Sequence, residues 1–93
     1  MKTLRSSETR LVGQWLQRGG QVVADEVAER IDWLLKSQLL RIGQSADGWT
    51  VLYQDPTDQR FWELTYPESG SHGGGPPVLQ AIDRPEVQAR YNV

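Results

Sequence analysis
Residues 48–77 read GWTVLYQDPTDQRFWELTYPESGSHGGGPP, and this stretch decides the fold. Two runs rich in aromatic and β-branched residues, 49–54 and 60–66, flank Asp55-Pro56-Thr57-Asp58, the pattern of a β-hairpin. Trp49, Val51 and Tyr53 alternate on one side of the first strand, and Trp62, Leu64 and Tyr66 on one side of the second. These sets share a face if Val51 lies opposite Trp62 and Trp49 opposite Leu64, which leaves a four-residue turn over 55–58 with Pro56 presetting a type I geometry. The other face carries Leu52 and Phe61 among polar residues, so those two are expected to be covered as well.

Outward from the hairpin, the periodicity changes. Asp25 can cap a helix running to about Gln38, with Val27, Ile31, Leu34 and Leu35 on one stripe and Asp25, Glu29, Asp32 and Lys36 opposite. Trp33 falls outside the stripe, beside Glu26 and Arg30; it either packs on Arg30 or under the N-terminal segment, or stands as an anchor for a partner. Residues 39–43 and 78–82 read as short strands. Residues 45–48 form the turn that delivers Trp49, and Asp83-Arg84-Pro85-Glu86 opens a short C-terminal helix to about Tyr91. Residues 11–16 fit a helix stopping at Gly19-Gly20 or a strand, and Gly13 tips the reading towards a strand because glycine costs about 1 kcal/mol inside a helix. The expected architecture is α+β in one domain, residues 1–93: an antiparallel sheet of three to five strands built on the central hairpin, one main amphipathic helix packed on it, and the short C-terminal helix.

Composition narrows the function. The chain has no cysteine, which rules out a thiolate metal site; its one histidine, His72, sits among serine and glycine in a loop, a poor start for a nucleophile, base and orienting-group constellation, and no calcium-loop spacing is present. No enzyme activity, metal or cofactor is expected. Gly73-Gly74-Gly75 does not lead into a helix, and Pro76 and Pro77 remove two N–H donors, so close packing of the loop 69–77 on the aromatic side of the hairpin is expected in place of phosphate binding. Glu63 and Arg60 can join Asp55 or Arg30 in a small polar network. The formal net charge is −2, with four cations against one carboxylate in residues 1–21 and five carboxylates against one cation in residues 44–68. Nucleic acid is a poor partner for such a chain, and no window has the length and apolarity of a membrane span or signal peptide. A cytoplasmic protein, monomeric when free, is expected.

Asp55-Pro56, Arg60, Trp62-Glu63, Tyr66-Pro67, His72-Gly73-Gly74-Gly75-Pro76-Pro77 and Leu79 together resemble the immunity protein 27 family of bacterial polymorphic toxin systems. Gly13-Gln14-Trp15, Asp25, Arg30-Ile31 and Gly48-Trp49 follow the family's order, so the resemblance runs from about Glu8 to Tyr91. One departure is Asp58-Gln59 where the family usually has Asp-Gly before the arginine; a left-handed Gln59 costs roughly 1 kcal/mol more than glycine. The resemblance implies a protein that binds the C-terminal domain of a cognate toxin in the cytoplasm and blocks it by occluding the active site or substrate groove. Many toxins of these systems present basic clefts, to which acidic residues are complementary. The candidate contacts are Asp25, Glu26, Glu29, Asp32 and Trp33 on the helix, Asp55, Asp58 and Glu68 at the ends of the hairpin, and His72 in the glycine-proline loop. The alternative is a small-molecule or peptide-binding module that uses the aromatic face and that loop as its pocket.

Overall fold
The computed structural model describes residues 2–67 and 75–91. Asp25 caps helix α1 (Glu26–Ser37) by accepting the Ala28 N–H at 2.8 Å, and Glu26 and Glu29 place negative charge at the positive end of the helix dipole. Strands β1 (Arg10–Val12), β2 (Trp15–Arg18) and β3 (Gln21–Ala24) precede it; β4 (Leu40–Gln44), β5 (Val51–Gln54), β6 (Phe61–Thr65), β7 (Val78–Ile82) and α2 (Arg84–Tyr91) follow. Five strands form an antiparallel sheet in the order β1-β7-β6-β5-β4, and β2 pairs with β3 in a separate hairpin.

The two helices cover opposite faces of the sheet. Ile31 and Leu34 of α1 meet Tyr53, Trp62, Leu64, Leu79 and Leu11 in the main core. On the other side Val87 and Tyr91 of α2 cover Leu52, with Phe61 and Ile82 at the margin, as alternation along the strands requires. The expected α+β architecture and the covering of Leu52 and Phe61 are both present.

The register differs from expectation by two residues: Val51 lies opposite Leu64, and Tyr53 opposite Trp62. An even slip preserves the faces, so Val51, Tyr53, Trp62 and Leu64 still share one side. Its cause is a four-residue turn set one residue further along the chain. Asp55 N–H donates to Arg60 O at 2.9 Å and Gln59 N–H to Asp55 O at 2.8 Å, enclosing residues 56–59 with Gln59 at φ 67°. The ends of the face are less covered than its middle: Trp49 is 66% exposed and Tyr66 41% exposed. Replacing Gln59 with glycine should raise stability by up to about 1 kcal/mol, a shift of a few degrees in melting temperature. A lower melting point would mean that the exposed side-chain bonds of Gln59, to Pro56 O and from Gln54, matter more than the backbone strain.

Residues 11–16 are strand on both sides of a break. At the break Gly13 N–H donates to Pro77 O at 2.8 Å, and a Cβ on Gly13 would come within 3.0 Å of Ala28 Cβ and of Pro77 O. Glycine is what lets the chain cross between α1 and β7. Gly19 and Gly20, expected at most to end a helix, make the two-residue turn of the β2–β3 hairpin, both with positive φ.

Candidate functional site
The exposed side of α1 carries Glu26, Glu29 and Asp32 in water, while Asp25 is half-buried and engaged as the cap. Asp32 accepts from Lys36 Nζ at 2.9 Å; among the described residues Glu26 and Glu29 have no ion-pair partner. Trp33 is half-buried against the main core. The cation that could have held it is engaged elsewhere: Arg30 donates to both carboxylate oxygens of Glu8, at 2.7 and 2.8 Å, and to the carbonyls of Lys2 and Thr3.

The end of the hairpin is less available than expected. Asp55, proposed from the sequence as a surface contact, is completely buried: Oδ1 accepts from Thr57 N–H (2.9 Å), Thr57 Oγ1 (2.6 Å) and Gln38 Nε2 (3.4 Å), and Oδ2 has no protein partner. A turn-initiating Asp folds its side chain back over its own turn, which is why its type alone did not place it outside. Asp58 remains at the surface, accepting the Arg60 N–H at 3.0 Å and Arg60 Nε at 2.7 Å. Burial raises the pKa of Asp58, but the backbone and guanidinium of Arg60 outweigh it and hold the carboxyl below its usual range. Glu68 and His72 lie outside the described residues, as does most of the loop 69–77.

The expected network of Arg60 and Glu63 with Asp55 or Arg30 does not form. Arg60 lies over the Trp62 ring at 4.8 Å and donates to the carbonyls of Glu8 (2.6 Å) and Arg5 (2.8 Å). Together with Arg30 it clamps the N-terminal segment to the sheet and to α1. The Arg30 hydrogen bonds pull the Glu8 pKa down to about 2. A depressed carboxyl stabilises the fold above its unfolded pKa and loses that contribution as pH falls through the folded value, so this clamp should loosen between about pH 4.5 and about pH 2. In acid titrations followed by circular dichroism, Glu8→Gln should flatten that limb; an unaltered acid limb would show that the clamp does not contribute.

Glu63, only 6% exposed, accepts from Arg90 at 2.8 and 3.0 Å and from Tyr91 OH at 2.7 Å, tying α2 to β6. Burial, reinforced by this bond to Glu63, pushes the Tyr91 hydroxyl up to about 12 against a lowering hydrogen bond from Thr50. Such a phenol is a fixed hydrogen-bond donor. Among the described residues no three His, Cys, Asp or Glu side chains come together to hold a metal ion.

One concavity combines residues that the sequence kept apart. A groove of about 620 Å³ runs between α1 and the β2–β3 hairpin, with Trp15, Trp33, Tyr66 and Pro77 in its walls and Glu29 and Asp32 at its side. The signal that could have foretold it is Gly19-Gly20, since a two-residue turn folds β2 back along β3 and carries Trp15 to the start of α1.

Fold and site thus define a small α+β protein with exposed carboxylates on α1 and an aromatic groove beside them. The family model described as immunity protein 27 matches residues 17–83, and the chain belongs to that family. Membership carries an immunity function, the neutralisation of a toxin. Neither curated proteins nor solved structures include a match to the chain. Among the described residues no helix is long and apolar enough to cross a membrane.

Proposed function
We propose that the protein neutralises the C-terminal domain of its cognate toxin by binding it stoichiometrically in the cytoplasm and covering its active site or substrate groove, with no chemistry performed on the toxin. The free protein acts as a monomer. The observation that carries this reading is the carboxylate row of α1: Glu26, Glu29 and Asp32 stand in water on a helix whose other side is locked into the core by Ile31 and Leu34. Such a surface is preorganised, and its charge complements a basic, nucleic-acid-binding cleft while speeding capture. Asp58 at the hairpin end extends the candidate surface, and Glu68 and His72 are kept as candidate contacts on their sequence position alone.

The test is coexpression with the toxin domain encoded beside this gene, followed by size-exclusion chromatography. A one-to-one complex and survival of the cells are the expected results; survival without a complex would overturn binding as the mechanism. The aromatic groove supports a second reading, a pocket for a small molecule or peptide. A gene neighbourhood of metabolic enzymes with no toxin would favour it.

A further inference from the structure
The groove between α1 and the β2–β3 hairpin has a composition that selects its occupant. We infer that it seats an arginine side chain presented by the toxin, held by the aromatic walls and by the carboxylates of Glu29 and Asp32; this rests on the toxin-binding reading above. Three observations converge. Trp33 and Tyr66, from α1 and from the end of β6, line the groove with Trp15, and Tyr66 is 41% exposed, so aromatic surface is available to a guanidinium. Glu29 and Asp32 are three residues apart on the helix and therefore project along the same strip. Finally, a cation already sits there: Lys36 Nζ lies 2.9 Å from Asp32 Oδ2, with side chains 73% and 63% exposed, a weak pair that a better-fitting cation can displace.

The balance of charge leaves room for that cation. Among the described residues two carboxylates and one ammonium line the groove, and Glu29 has no ion-pair partner. The carboxylate of Asp32 is felt within the groove as well: the Tyr66 hydroxyl is held above its usual range, first by burial and then by Tyr53 and Asp32. Arginine suits this lining better than lysine because its planar guanidinium stacks on aromatic faces and pairs with carboxylates through a rigid fork of donors. A groove of about 620 Å³ is roomy enough for one such side chain and its flanking backbone.

The direct test is NMR titration of the intact protein with acetyl-Gly-Arg-Gly-amide and with its citrulline twin, which keeps the shape and removes the charge. The Trp15 and Trp33 indole N–H signals should shift saturably with the arginine peptide while those of Trp49 and Trp62 stay in place, and the citrulline peptide should bind at least about tenfold more weakly. Equal shifts from both peptides, or shifts at Trp49 matching those at Trp33, would overturn the assignment. Lys36→Met removes the resident cation and should tighten the arginine peptide; weaker binding would count against the site. In parallel, Glu29→Gln with Asp32→Asn should weaken the neighbouring toxin domain about tenfold at an unchanged melting temperature. If the parent binds toxin and the double variant binds equally well, the groove assignment falls and the immunity reading stands. If the parent does not bind toxin at all, the toxin-binding reading falls, and the peptide titration still decides whether the groove takes a guanidinium.

Discussion
Trp62→Ala should cost about 3–5 kcal/mol of unfolding free energy and lower the melting temperature by well over 10 °C. Trp62 is fully buried at the centre of the sheet, between Tyr53 on β5 and Ala81 on β7, in the core formed with Ile31 and Leu34 of α1. Truncation would leave a cavity that strands held on both sides cannot close, and Arg60 would lose the ring beneath its guanidinium. Because a domain of this size has about 5–15 kcal/mol in all, the variant should be partly unfolded at growth temperature. Trp62→Phe is the informative companion. It keeps most of the apolar contact and removes an indole N–H that has no protein acceptor, so it should cost much less. Urea melts of the two variants decide the matter: equal losses would show that the buried N–H contributes to stability.

The elements that could be read from the sequence are those whose signal is local. Alternation fixed which sides of β5 and β6 face α1, the Asp25 cap and apolar stripe located α1, and Asp83 located the start of α2, where its Oδ1 accepts the Glu86 N–H at 3.2 Å. The hairpin register was not local in the same sense. It depends on Gln59 accepting a left-handed backbone, a small cost repaid by cross-strand pairing that propensity does not report. The strand order β1-β7-β6-β5-β4 likewise joins the beginning of the chain to its end, and the antiparallel pairing of Leu11 with Leu79 has no short-range cue.

The same division holds for the candidate site. Glu29 and Asp32 were legible because helical periodicity alone puts them opposite the core stripe, and Glu26 because the same periodicity leaves it outside that stripe. Asp55 was not, because an Asp at the start of a turn can solvate its carboxylate either in water or on its own turn, and here Thr57 and Gln38 supply the second choice. Trp15, Trp33 and Tyr66 meet only when three separate elements are assembled.

Reversing charge on the helix, Glu29→Lys with Asp32→Lys, should have the largest functional effect: association with the toxin slowed about ten- to a hundredfold at low salt, and protection of toxin-bearing cells lost. Both positions are solvated and outside the core, so the melting temperature should stay close to that of the parent apart from the weak Lys36 pair. The matched control is at the hairpin end, and the structure dictates its form. Asp58→Lys alone is the appropriate reversal there, since a lysine at the fully buried Asp55 would leave an unpaired charge inside the turn and would report on folding in place of binding. Association rates measured by stopped flow at two ionic strengths separate the outcomes. A helix reversal that slows binding at low salt, with the difference shrinking as salt screens the charges, supports acidic complementarity on α1. If instead the helix reversal and Asp58→Lys both associate and protect like the parent at low salt, acidic complementarity is wrong, and the binding energy must come from apolar contacts such as Trp33.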